Sequence, residues 1–172
     1  MRCSTTRREM LRFGLSLAGV GLSGCGYQIR PPVYPDIRTV YVPVFRSISF
    51  RRDVNFMLTE LVQKEIEKRT KYKVVGSPEG ADTILEGTIN FSEKNLIVEN
   101  PFNLPRQLSA WVMVSVRWIH NPPLETEANA PPVVVSETLN FIPEVGETSY
   151  NAFYRTCQTL ATDIVDMMDT PW

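Results

Sequence analysis

The sequence predicts an α+β fold: two helices packed on one face of a small mixed, mainly antiparallel sheet of four to five strands. Three observations carry this. Two stretches, Asp53 to about Arg69 and about Thr148 to Met168, repeat their apolar residues at the helical period. Three runs between them, Thr83 to Val98, Leu108 to His120 and Val133 to Ile142, read as strands with no helical stretch separating them. Consecutive strands of this kind pair as hairpins, whereas a parallel sheet needs a crossover after each strand.

The elements follow in order. Ile37 to Phe45 is β-branched and aromatic, with Val40, Val42 and Val44 expected on one face. Pro43 has no N–H to donate, so the strand is expected to lie at an edge or to bulge there. After Arg46, Arg51 and Arg52, Asp53 is placed to cap a helix whose stripe is Val54, Met57, Leu58, Leu61, Val62 and Ile66, with Glu60, Lys64, Glu67 and Lys68 opposite. Lys71 to Val75 is a short strand, closed by Gly76-Ser77-Pro78-Glu79-Gly80. Thr83 to Val98 puts Leu85, Gly87, Ile89 and Phe91 on one side and Glu86, Thr88, Asn90 and Ser92 on the other. A polar loop, Glu99 to Gln107, leads to Leu108–His120. There Leu108, Ala110, Val112, Val114, Val116 and Trp118 alternate with Ser109, Trp111, Met113, Ser115, Arg117 and Ile119. Asn121 to Pro132, with four prolines, reads as a solvent loop. The last helix carries Phe153, Cys157, Leu160, Ala161, Ile164, Val165 and Met168 on one face.

The N-terminal end carries a different signal. Arg2, Arg7, Arg8 and Arg12 precede a short apolar run, Phe13 to Val20, and then Leu22-Ser23-Gly24-Cys25. A basic end, an apolar stretch below the ~20 residues of a span, and small residues before a cysteine make a lipoprotein leader. The expected organisation is a signal peptide over 1–24, acylated Cys25 with a proline-rich tether over 25–36, and one α+β domain over 37–172. Two or more acyl chains hold such an anchor in the membrane essentially permanently. Gly26 stands where an aspartate would retain a lipoprotein in the inner membrane, so the expected location is the periplasmic face of the outer membrane. Thr6-Arg7-Arg8-Glu9-Met10-Leu11-Arg12 resembles a twin-arginine export signal and equally suits an ordinary basic leader.

Composition narrows the function. The chain has 18 basic and 19 acidic residues, and the leader removes four arginines against Glu9, leaving an acidic mature chain without the basic face of a nucleic-acid module. With Cys3 cleaved away and Cys25 acylated, Cys157 alone remains, so packing and not an internal disulfide must stabilise the domain. His120 lacks a motif around it, and Cys157 belongs to an apolar stripe, which makes a packed core thiol the better reading than a dyad. Asp163, Asp166 and Asp169 suit a solvated helix face better than a metal site, since hard cations need oxygens converging from a loop. No phosphate loop or zinc spacing occurs. The sequence offers no catalytic residues, no metal ligands and no cofactor.

Cys25-Gly26-Tyr27, the strand Ile37 to Phe45 before an amphipathic helix, the strand Ala81-Asp82-Thr83-Ile84-Leu85-Glu86-Gly87-Thr88-Ile89 and the closing helix together resemble the lipopolysaccharide-assembly lipoprotein family LptE. Asn103-Leu104-Pro105-Arg106-Gln107 is similar to divergent, planctomycete-like versions. The Ala-Asp-x-x-Leu-x-Gly pattern also resembles other small envelope lipoproteins, which leaves a scaffold of another secretion or assembly machine open. The LptE resemblance implies a non-enzymatic subunit that plugs the outer-membrane β-barrel LptD, assists its assembly and contacts lipopolysaccharide. The proline-rich tether and the Asn121–Pro132 loop depart from the proteobacterial pattern. Candidate contacts are the basic residues Arg46, Arg51, Arg52, Lys94 and Arg106 for lipopolysaccharide or the barrel, and Trp111, Met113 and Ile119 as an apolar docking face.

Overall fold

The computed structural model describes residues 36–49, 51, 53–102 and 104–168. The expected leader, Cys25, the tether before Asp36, and Arg52, Asn103 and Asp169 lie outside the described residues. The elements are β1 (Thr39–Tyr41), β2 (Arg46–Ser47), α1 (Asp53–Arg69), β3 (Lys73–Val75), β4 (Thr83–Glu99), β5 (Pro105–His120), α2 (Glu125–Ala128), β6 (Val133–Phe141) and α3 (Ser149–Met168). They form one sheet in the order β3-β1-β4-β5-β6, with β2 beside β4. β1 runs parallel to β3 and β4, and β2 parallel to β4. The long β4–β5 and β5–β6 ladders are antiparallel. The sheet is thus mixed and mainly antiparallel, as the sequence predicts.

It has six strands where four to five were expected: the Ile37–Phe45 run is strand only over Thr39–Tyr41, breaks around Pro43, and Arg46–Ser47 beyond it pairs with β4 as an extra short strand. The break exposes backbone polar groups that need partners. Helix α1 supplies them from side chains four residues apart on one face. Gln63 Nε2 donates to Val42 O at 3.1 Å, Asn55 Nδ2 donates to Phe45 O at 3.3 Å, and Thr59 Oγ1 accepts from Phe45 N at 3.0 Å while donating to Asn55 O at 2.7 Å. The break also changes the face of the chain. Val40 and Val42 are buried as expected, but Val44 is exposed and Phe45 enters the core in its place.

Phe45 explains Gly87. A Cβ at residue 87 would lie 2.6 Å from the Phe45 ring, so glycine leaves the space that the ring fills. Around it, Val54, Leu58, Val62 and Ile66 of α1 and Phe153, Cys157, Leu160, Ile164 and Met168 of α3 close over Leu85, Ile89, Ala110, Val112, Val114 and Val116 of the sheet. The two long helices cover this inner face side by side, and Arg69 of α1 bonds Asp166 of α3 at 2.5 Å where they end.

A second irregularity corrects the expected faces of β4. Ile89 pairs with Val114 but Phe91 pairs with Met113, so Asn90 is an extra residue in the ladder. Such a bulge places two successive side chains on one side and shifts the alternation after it. Phe91 therefore leaves the Leu85–Ile89 face, where the sequence alternation placed it, and Ser92 becomes buried. The Asn121–Pro132 segment also differs from the expected solvent loop. It contains α2, and Glu127 ties it to the end of β5: His120 N donates to Glu127 Oε2 at 2.9 Å, and His120 Nδ1 lies 2.5 Å from Glu127 Oε1.

Candidate functional site

With both long helices on the inner face, the opposite face of the sheet carries the candidate docking residues. The strand period puts Trp111, Met113 and Ile119 on that outer side of β5, all half-buried. The register groups them into two patches. At one end Tyr41, Ile84 and Ile119 form a row across β1, β4 and β5. At the other, Phe91 stacks on Trp111 with ring centroids 5.5 Å apart and planes at 6°, beside Met113. Phe91 belongs to this patch only because of the bulge at Asn90, a signal that simple alternation cannot carry. A polar band lies between: Thr88 pairs with Ser115, Glu86 with Arg117, and Asn90 Nδ2 donates to Ser115 Oγ at 2.6 Å.

The basic candidates do not converge. Arg46 is exposed opposite Thr88, on the outer side. Arg51 lies over the Phe153 ring at 4.7 Å and shares an open groove with Ser92 and Lys94. Arg106 meets Glu144 at 4.0 Å, close to the limit of an ion pair. Beyond Lys94 the β4–β5 hairpin leaves the helices behind, and Leu96, Ile97, Val98, Phe102 and Leu104 are exposed along it.

The Ala81–Gly87 pattern has a structural reason for each named position. Ala81 is buried, Leu85 is in the core, and Gly87 admits Phe45. Asp82 Oδ2 accepts hydrogen bonds from Arg38 N and Thr39 N, both at 2.9 Å, and so starts β1 beside β4. These two N–H groups, with the Thr39 hydroxyl, hold the Asp82 carboxyl below its ordinary range. For Glu127, burial acts to raise the carboxyl, but hydrogen bonds from the His120 backbone and ring and from Leu124 N outweigh it and leave it lowered. Neither role was legible in the sequence, because each joins residues from elements whose pairing sequence alone does not fix.

The remaining reactive groups serve the fold. Cys157 is fully buried, and burial pushes its thiol up to about 12, away from the reactive thiolate. His120 is engaged with Glu127 at the end of the sheet, while Cys157 belongs to the helix core. Burial and then neighbouring Asp166 raise Asp163, and Asp166 itself pairs with Arg69. Among the described residues no group of three or more histidines, cysteines or carboxylates gathers to hold a metal, and no helix is long and apolar enough to cross a membrane.

The fold has solved counterparts. Lipoprotein B from Nitrosomonas europaea matches with a TM-score of 0.54 at 16% identity, covering 84% of this chain and 90% of that one. A dodecameric PelC variant from Paraburkholderia phytofirmans matches with a TM-score of 0.51 at 11% identity, covering 83% of this chain and 96% of that one. At such identities the likeness establishes shared architecture. A comparison with curated proteins finds no match. Residues 37–168, spanning β1 through α3 and the Asp82–Gly87 node, match the lipopolysaccharide-assembly family LptE, and the chain belongs to that family.

Proposed function

We propose that this chain is a lipid-anchored subunit of the lipopolysaccharide translocon, held by acylated Cys25 on the periplasmic face of the outer membrane after removal of residues 1–24. It acts by binding: it docks against an LptD-like β-barrel, assists that barrel's assembly and contacts lipopolysaccharide. The observation that carries the docking step is the outer face of the sheet, where Tyr41–Ile84–Ile119 and Phe91–Trp111–Met113 form two apolar patches that, among the described residues, neither long helix covers. Apolar patches at both ends of one face, with a hydrogen-bonding band between, suit a partner wall that contributes apolar side chains and polar groups in register. Arg46 on that face, and Arg51, Lys94 and Arg106 towards the hairpin, are positioned to meet lipid phosphates or acidic wall residues through charge-assisted hydrogen bonds.

The test is site-specific crosslinking in cells that make the acylated chain. A photo-reactive residue in place of Met113 or Phe91 should capture a large outer-membrane β-barrel, whereas the same residue in place of Gln158, on the exposed side of α3, should not. Capture from Gln158 alone, or capture of a non-barrel protein from Met113, overturns the docking assignment. Cys25→Ala should release the chain from membranes, and unchanged fractionation overturns the anchor.

A further inference from the structure

β5 outruns its neighbour. Its ladder with β4 continues to Thr83–His120, but its ladder with β6 stops at Val116–Val133. The Asn121–Pro132 segment between β5 and β6 is tied at two places, by Asn121 to Pro78, Ala81 and Asp82 and by Glu127 to His120. A cavity of about 310 Å³ is left between the end of β5 and this segment. Its apolar walls are Ile37, Trp118 and Ile119 on one side and Leu124, Ala130 and Pro131 on the other. Thr83, Thr126 and the Glu127–His120 pair also line it, the Glu127 carboxylate being engaged by His120 and Leu124 N.

Arg117 also lines it. This half-buried guanidinium is directly opposite Glu86 in the β4–β5 register, the ordinary position for a cross-strand ion pair. Among the described residues Arg117 makes no ion pair; Arg38, Arg46, Arg51, Lys71, Lys73 and Lys94 also make none, but those are exposed and Arg117 is half-buried. A half-buried guanidinium lining a pocket, with no ion pair to the carboxylate across the ladder, is suited to receive an anion.

We propose that this cavity binds a single acyl chain bearing an anionic head, with the hydrocarbon between Trp118 and Leu124–Pro131 and the carboxylate or phosphate on Arg117. The volume sets the stoichiometry. Ligand pockets run from roughly 300 to 1,000 Å³, so this one is at the small end and takes one chain, not a multiply acylated lipid. The site is at the end of the sheet where Ile37 enters the domain, opposite the β4–β5 hairpin and the Arg51–Lys94 groove. It shares none of the basic residues proposed above for lipopolysaccharide, although Ile119 belongs both to this cavity and to the docking face. The same chemistry is offered by a free fatty acid and by one chain of a membrane phospholipid.

The experiment uses the full chain carrying Cys25→Ser, titrated by NMR with dodecanoate, with dodecanol, and separately with phosphatidylglycerol vesicles. Dodecanoate should shift the Trp118 indole signal saturably and leave Trp111, on the outer face, unmoved. Dodecanol, lacking the anion, should bind at least tenfold more weakly. Arg117→Gln should weaken dodecanoate binding at least tenfold, and Arg117→Lys should restore part of it. Ala130→Leu, which fills the pocket without touching the charge, should block it. A Trp118 shift with vesicles in place of dodecanoate identifies a phospholipid chain as the source. Silence at Trp118 in both arms, or binding that ignores Arg117→Gln and Ala130→Leu, overturns the proposal.

Discussion

The two faces of the sheet are made by the same strands, one residue in two, and they differ in how completely each is closed. On the inner face Leu85, Ile89, Val112 and Val114 are fully buried beneath α1 and α3. On the outer face Ile84, Trp111, Met113 and Ile119 are half-buried, Ile119 beside the Asn121–Pro132 segment. The inner face therefore holds the fold, and the outer face keeps apolar surface that folding leaves unused. An antiparallel sheet with one solvated face normally carries polar residues there. Here polar residues share that face with two apolar clusters: Thr88–Ser115 and Glu86–Arg117 lie between the clusters, Glu93, Thr138 and Ser136 flank Trp111 and Met113, and the clusters are the feature that favours a partner.

The largest effect tests that division directly. Leu85→Ala removes a fully buried side chain beneath the helices and should cost about 2–5 kcal/mol, whereas Met113→Ala on the outer face should cost less than about 1 kcal/mol. Urea denaturation of both variants measures the contrast. Equal losses would mean that the outer face is closed in the free protein, and the docking argument would lose its premise.

Gly87→Ala should cost about 1–3 kcal/mol, the range for forcing atoms into a filled core. The added methyl would meet the Phe45 ring, which is itself held by the Thr59 and Asn55 hydrogen bonds to its backbone. A double-mutant cycle with Phe45→Leu distinguishes this steric cause from a loss of glycine's flexibility. If the ring is responsible, the two substitutions are strongly coupled; if the costs simply add, it is not.

How far these features were legible in the sequence depends on the distance over which each is decided. Helices α1 and α3, strands β4 to β6 and the pairing of two helices with one sheet face follow from local periodicity, which burial enforces residue by residue. Trp111, Met113 and Ile119 were legible for the same reason, since β5 keeps its alternation from Leu108 to Trp118. Phe91 was not, because a bulge depends on the partner strand and shifts everything after it. Val44 and Phe45 exchanged faces because Pro43 stops a strand whose open backbone groups α1 then satisfies. Asn55, Thr59 and Gln63 carry that signal at a spacing of four, but on a helix such residues also suit solvent. Of the described basic candidates only Arg51 and Lys94 come together, in one groove, while Arg46 lies opposite Thr88 and Arg106 near Glu144.

The smallest effect lies at the end of the sheet that both faces share. Asp82→Ala removes the acceptor for Arg38 N and Thr39 N and should cost about 1 kcal/mol, a value kept low because the carboxylate is exposed and screened by solvent. The pH dependence has a definite sign. Asp82 and Glu127 are both held below their ordinary values when folded, so their contributions are fully present above the ordinary carboxylate range and are lost as pH falls through the folded values. Asp163 acts in the opposite sense, since its folded value is raised and protonation relieves its burial. The informative quantity is therefore the difference between wild type and Asp82→Ala in urea midpoint from pH 7 to pH 3, where Asp163 and Glu127 cancel. That difference should shrink steadily with acid; a difference independent of pH would show that Asp82 starts β1 by shape and not by charge.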